Sequence, residues 1–301
     1  KPYFEQHPAP QMRVVRASVT DQPGVPAAAL GSYKKEQDKL TDDLRREAIQ
    51  AYSASVSFMD AQVGRVIGAL DRLGLAENTL VVVTSDHGMP FPRVKGNAYE
   101  ASNHVPFAAM WPRGIAKPGR VIEDFISFID LAPTFIELAG LKWAQSGMAE
   151  SPGRSLTDIF RSEKNGRVNP ARNFALIGKE RTDIGRPNDW GYPIRGIVRE
   201  GWLYLHNFEP ARWPAGNPET GYLDCDGGAT KSFILDAHRK NSADPFWALC
   251  FGMRPNEELY DLRKDPDCVR NIAGESDSAS TRAELKDALF AELKRQGDPR
   301  M

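Results

Sequence analysis

TLVVVTSDHGMPFPRVKGNAYE, residues 79–100, is the stretch on which the reading of this chain turns. Its first six residues are rich in β-branched side chains and show no polar alternation, which predicts a strand covered on both faces, as in a mainly parallel sheet. Asp86 and His87 then fall at the carboxyl end of that strand. In open α/β sheets that edge lines the ligand crevice. Neighbouring side chains in an extended backbone point to opposite faces, so Asp86 and His87 reach one ion only if the chain turns there; Gly88 supplies the freedom. Lys95 follows eight positions after His87. Two readings remain open at this point: a metal pair with a nearby cation, or an Asp that caps a turn beside an incidental loop His.

Upstream, Thr41 can cap a helix whose first turn carries Asp42 and Asp43, favourable at the positive end of the helix dipole. Apolar residues recur at Leu44, Ala48, Tyr52, Val56, Met59, Val63, Val66 and Leu70, which predicts one buried face, and Gly74 marks the stop. Residues 1–35 are punctuated by prolines and carry no period, so they read as a long surface connection. Downstream, 105–112 reads as a strand, and Asp130-Leu131-Ala132-Pro133-Thr134 opens a helix that ends at Gly140. Beyond Asn165 the texture changes to short segments broken by Gly, Pro and Asn. Strands over 194–198 and 202–206 and a closing helix over 281–294, with Leu285, Ala288, Leu289 and Leu293 on one side, predict a smaller antiparallel module. The division is therefore an α/β part over 1–162 and an α+β subdomain over 163–301.

The 301 residues are 41% hydrophobic and 26% charged with a formal net charge of -1, an ordinary globular balance. Nothing in that charge points to nucleic acid or an anionic membrane, and no apolar run reaches the roughly 18 residues of a membrane span. Cys225, Cys250 and Cys268 are far apart without C-x-x-C spacing, so neither a zinc knuckle nor a redox pair is indicated. No Asn-x-Ser/Thr sequon occurs.

Ser85-Asp86-His87-Gly88, with Lys95-Gly96-x-x-Tyr99-Glu100 and then Val105-Pro106, resembles the second half of the sulfatases in the alkaline phosphatase superfamily. Met89-Pro90-Phe91-Pro92, Ile129-Asp130-Leu131-Ala132-Pro133-Thr134, Gly153-Arg154-Ser155-Leu156 and Glu258-Leu259-Tyr260-Asp261-Leu262 are similar to the heparan N-sulfatase (sulfamidase) branch. Residues 54–64 are nearer the iduronate sulfatase pattern. The resemblance runs from about residue 40 to 275. It implies an alkaline phosphatase-like sandwich and a sulfuric ester hydrolase acting on a sulfate ester or N-sulfamate of a glycosaminoglycan-type sugar.

What the resemblance implies for the site is specific. Asp86 and His87 would ligate one divalent cation, calcium first, with manganese or zinc as alternatives because calcium prefers oxygen ligands to imidazole. Lys95 would act catalytically on the sulfuryl oxygens or the leaving group. Apart from the resemblance, the charge density around Arg181, Asp183 and Arg195 has two readings: a loop of the smaller module that covers the pocket and binds sugar hydroxyls and acidic groups, or a solvated loop. His104 is assigned to the same edge, as a supporting group or a substrate contact. Trp190, Trp202, Trp213 and Trp247 are spread too irregularly to predict a stacking platform.

One family element is absent. Sulfatases take a formylglycine from a Cys/Ser-x-Pro-x-Arg motif, and no segment here has that spacing. The expectation is a C-terminal part of a longer protein, with the nucleophile outside this chain and the remaining N-terminal part as its partner. By the same resemblance the compartment is periplasmic or secreted. The alternatives are a phosphodiesterase or phosphonate monoester hydrolase of the same superfamily, and a non-catalytic remnant of the fold.

Overall fold

The computed structural model describes residues 2–14, 40–181, 188, 190–216 and 228–301. Residues 2–14, expected to be irregular, hold a short helix α1 (Pro2–Glu5) and a 3-10 turn (Ala9–Gln11). Both pack on α2 (Asp42–Arg72), where Tyr3 meets Phe58 edge-on and His7 Nε2 lies 2.8 Å from Ser57 Oγ. α2 begins where the sequence predicts: Thr41 Oγ1 accepts from the Leu44 amide at 3.2 Å.

Its apolar stripe is not buried by the described residues. Tyr52 is 74% exposed and Val66 65%, and Leu44, Val56, Met59 and Val63 are exposed as well. Ala54 is the one buried residue of the helix. The periodicity predicts the helix correctly, because the pattern is a local property; the partner for the face is not.

The strand after α2 is β1 (Val81–Thr84), and its hydrogen-bonded neighbour is antiparallel. The chain turns back through a short helix α3 (Glu100–Asn103) into β2 (Phe107–Met110), with Val81 opposite Met110 and Thr84 opposite Phe107. A parallel neighbour needs a crossover of a dozen or more residues that returns to the same edge, and no described strand supplies one. β1 is also half-exposed rather than covered on both faces, with Val83 at 52%. Leu80, Phe107, Ala109 and Trp111 pack instead against Leu156, Ile159 and Phe160 at α5 (Thr157–Arg161), with α4 (Leu131–Leu138) contributing Leu131.

The second half is built on one antiparallel sheet in the order β3 (Phe174–Lys179), β4 (Ile194–Arg199), β5 (Trp202–Asn207), β6 (Glu257–Asp261). Between β5 and β6 come α6 (Ala229–Lys240) and α7 (Pro245–Phe251), which the glycine-broken sequence did not predict; Asp244 caps α7 through the amides of Phe246 and Trp247. The closing helix α8 (Ala279–Arg295) lies on β4 and β5 and buries Leu285, Leu289 and Leu293 against Ile197, Tyr204 and Leu259.

The proposed boundary at 162/163 is not a clean seam. Ala98 and Tyr99, from the loop after Asp86-His87, are buried in a cluster with Tyr192, Ile194, Leu203, Leu205 and Tyr260 of the four-stranded sheet. The loop of the first half is thus part of the core of the second.

Leu289 has no exposed surface. Leu289→Ala is expected to lower unfolding free energy by about 2–5 kcal/mol, from lost burial plus the cavity left between α8 and β4–β5, measured by denaturant titration.

Candidate functional site

β1 delivers its carboxyl end to a tight turn. Thr84 Oγ1 donates to Pro106 O at 2.8 Å and Ser85 Oγ to His87 O at 2.8 Å, so the two residues before the motif tie both arms of the turn together. The Gly88 amide donates to Ser102 O at 3.3 Å, bracing the turn against α3. A Cβ at position 88 would stand 2.1 Å from Ala101 O, so the approach of α3 requires glycine there.

The turn brings Asp86 and His87 to one side. Asp86 Oδ1 accepts from the His87 amide at 3.0 Å, and Asp86 Oδ2 lies 3.4 Å from His87 Nε2. His87 Nδ1 is 2.6 Å from Gly88 O, a spacing that places the ring proton on Nδ1. In the neutral ring Nε2 is then a lone pair facing a carboxylate oxygen. Two acceptors at that distance repel unless a proton or a metal ion lies between them. A carboxylate oxygen and an imidazole nitrogen with its other nitrogen held by a carbonyl are the donor set of a divalent-metal site. Among the described residues no group of three or more His, Cys, Asp or Glu side chains that could hold a metal ion converges.

Lys95 sits in the turn that follows. Its amide and that of Val94 both donate to Phe91 O, at 3.3 and 3.1 Å, and Asn97 Nδ2 donates to Lys95 O at 3.1 Å. Arg93 has φ +67° and Gly96 φ +72°, so the turn is left-handed on both sides of Lys95. Contacts with the second half hold it. The Arg93 guanidinium lies 3.8 Å over the Tyr99 ring, donates to Leu249 O at 2.7 Å and also bonds Cys268 O. Lys179 Nζ donates to Gly96 O at 2.6 Å.

Tyr99 is anchored by Glu258. That carboxylate is 2% exposed and accepts from Tyr99 OH at 3.0 Å, Tyr260 OH at 2.6 Å and Asn207 Nδ2 at 2.8 Å. Burial, and then the Glu258 charge, push the Tyr99 phenol well above its usual range, so it stays a donor.

The other predicted residues fall elsewhere. His104 is 78% exposed and pairs with Glu100 at 2.6 Å across one turn of α3, a surface contact rather than a pocket residue. Arg181 is exposed just past the end of β3, and Asp183 lies outside the described residues. Arg195, expected on the sugar, is buried in the sheet. Its Nε donates to Asp298 Oδ2 at 2.6 Å, one terminal nitrogen to Lys179 O and Ile194 O, and the other to Glu180 Oε1 at 2.6 Å and Asp298 Oδ1. All five N–H groups are committed within the chain, which corrects the expectation of a direct substrate contact. Arg195 holds the end of β3 instead. Sequence reasoning missed Arg93, Tyr99 and Glu258, because their link spans more than 150 positions and has no local signal. Cys250 and Cys268 are buried free thiols, and burial pushes Cys268 up to about 11, so neither is a nucleophile at neutral pH.

Residues 7–141 match the Sulfatase family model. An ulvan-active sulfatase of Formosa agariphila is 28% identical over 276 residues, covering 90% of this chain and 48% of that protein. Human N-sulphoglucosamine sulphohydrolase is 25% identical over 253 residues, covering 81% and 47%. A solved structure in complex with D-glucosamine-2-N,6-O-disulfate as its substrate superposes with a TM-score of 0.56 at 22% identity, over 89% of this chain and 44% of the other. The fold is shared with that structure and with a solved phosphonate monoester hydrolase of Agrobacterium radiobacter, which superposes with a TM-score of 0.52 at 21% identity over 86% of this chain and 43% of the other. The likeness to sulfatases rests on residues 7–141 and on relatives that match most of this chain at 25% and 28% identity. The chain spans about half the length of the curated relatives it matches.

Hydrogen bonds from Arg300, and then from Arg195, hold the Glu180 carboxyl below its usual range. Asp298 feels burial, which raises it, but hydrogen bonds from Arg195 and the Arg300 amide outweigh that and hold it low. A carboxyl depressed in the folded state contributes stability above its unfolded pKa, about 4, and loses it as pH falls through the folded value. Thermal melts should therefore be flat near neutrality and fall in the acid range, and Glu180→Gln should fall less steeply. Arg195→Met should cost roughly 2–4 kcal/mol at neutral pH, because it strands the Asp298 carboxylate and leaves Glu180 with Arg300.

Proposed function

We propose that the protein carrying this chain is a sulfatase that hydrolyses a sulfate ester or N-sulfamate of a glycosaminoglycan-type sugar. The observation that carries the reading is the convergence of Asp86 Oδ2 and His87 Nε2, 3.4 Å apart, at the end of β1. Asp86 and His87 would hold one divalent cation, calcium first and manganese or zinc as alternatives, with further ligands from outside the described residues. When bound, such a cation supplies positive charge for the nonbridging oxygens of an anionic ester. The formylglycine nucleophile would come from outside this chain.

Each group of this chain then has a task. The Ser85 and Thr84 hydroxyls keep the turn closed, so that Asp86 and His87 face one point. The Gly88 carbonyl orients the imidazole through Nδ1, leaving Nε2 as the ligand atom. Lys95, on a turn held from both sides, would neutralise charge as it develops on the sulfuryl group or the leaving oxygen. The likeness to sulfatases named for ulvan and for N-sulphoglucosamine supports a sulfated sugar as substrate.

Among the described residues no helix is long and apolar enough to cross a membrane. A periplasmic or secreted location is consistent with an extracellular polysaccharide as substrate. The exposed apolar stripe of α2, at Tyr52, Val56, Met59 and Val66, is the surface on which the remaining N-terminal part of the same protein would pack.

The test uses the full-length protein and a sulfated sugar. Lys95→Ala should lower kcat by about 10² to 10³ with a much smaller change in KM, since the lost interaction belongs to the transition state. Thermal stability should stay within about 0.5 kcal/mol. A kcat within twofold of the parent removes Lys95 from the site. Asp86→Ala should weaken divalent-cation binding at least about 10-fold by calorimetry; unchanged affinity removes Asp86 as a ligand.

A further inference from the structure

Lys179 closes β3, opposite Ile194 of β4. Its backbone carbonyl accepts from Arg195 at 3.2 Å, and the residue after it, Glu180, is clamped by Arg195 at 2.6 Å and Arg300 at 2.8 Å. The base of the side chain is therefore rigidly placed by an ion-pair network on the sheet. Its ammonium spans the gap to the first half of the molecule. Lys179 Nζ donates to Gly96 O at 2.6 Å and to Pro214 O at 3.3 Å, and lies 5.9 Å from the centroid of the Tyr192 ring, which has no exposed surface. Gly96 follows Lys95 directly and adopts φ +72°.

We propose that Lys179 is a positioning residue for Lys95: its ammonium holds the Gly96 carbonyl and so sets the direction in which the Lys95 side chain leaves the turn. This rests on the sulfatase reading above. A charge-assisted bond to a carbonyl is short and directional, and an ammonium can hold two carbonyls with separate protons. The Gly96 carbonyl lies in the peptide between Gly96 and Asn97, so the bond limits ψ of Gly96; with the Lys95 carbonyl held by Asn97 Nδ2 at 3.1 Å, it restrains the segment from which the Lys95 Cα–Cβ vector leaves. Arg93 and Tyr99 restrain the turn on its other flanks, and Lys179 is the side chain of the sheet that holds Gly96. Arg195 then acts at two removes from the chemistry, by placing Lys179.

The experiment is a double-mutant cycle in the full-length protein with a sulfated sugar, read by steady-state kinetics beside thermal melts. Lys179→Met should lower kcat about 10-fold or more with KM within twofold, since displacements near 1 Å carry costs of that order. Lys179→Arg, which keeps charged donors, should recover most of the loss. In a Lys95→Ala background, Lys179→Met should change kcat by less than twofold, because the group it positions is gone. A merely structural lysine gives additive losses and no recovery that depends on Lys95. Additivity overturns the inference, as does a rise in KM alone, which marks a direct substrate contact. If Lys179→Met does not fold, Lys179→Gln, which keeps one donor of shorter reach, is read against the same outcomes. A parent protein without sulfatase turnover overturns the functional reading and this inference together. Turnover that Lys179→Met leaves unchanged overturns this inference alone.

Discussion

A carboxylate withdrawn from water must be met by donors, and Glu258 meets three: the phenols of Tyr99 and Tyr260 and the amide of Asn207. Tyr260 and Asn207 belong to the four-stranded sheet; Tyr99 belongs to the loop that begins at the Asp-His pair. The sheet therefore captures that loop by a charge that has no better place to go. Arg93 and Arg254, both over the Tyr99 ring at 3.8 and 5.5 Å, enclose it from the other side. From this anchor α3 starts, and α3 supplies the carbonyl that receives the Gly88 amide. Motif, turn and sheet are one connected object.

That connection changes how the second half of the chain is understood. It holds few of the groups proposed to act on substrate, and Arg195, the most buried of its predicted contacts, is spent on Glu180 and Asp298. Its contribution is geometric. Lys179 on Gly96, Leu249 and Cys268 on Arg93, and Glu258 on Tyr99 each tether a different residue of 93–99. A lysine that stabilises developing charge works only when its direction is set before the reaction, so rigidity in the supporting sheet is part of the proposed chemistry.

Local signals were legible in the sequence. Thr41 and the acidic first turn mark the start of α2, and Leu285, Leu289 and Leu293 at helical spacing mark the buried face of α8, since both are properties of neighbouring residues. Motif residues Asp86, His87 and Lys95 were found by resemblance, and the structure puts the first two side by side. Partners were not legible. The Val-rich β1 reads as a doubly covered parallel strand, yet pairs antiparallel with β2, because a run of valines states only that burial suits it and not what will cover it. The α2 stripe fails for the same reason. Charge density at 179–195 suggested sugar binding, whereas distance in sequence concealed that Glu180 and Arg195 answer each other and Asp298.

The most direct test of this account is amide hydrogen exchange on Glu258→Gln, which removes the charge and keeps the shape. If the buried carboxylate anchors the loop, protection should fall at Gly88, Val94, Lys95, Asn97 and Ser102, whose amides bond within the loop and α3, while α8 and β4 stay protected. Loss confined to β5 and β6, with residues 88–102 exchanging as in the parent, would contradict it.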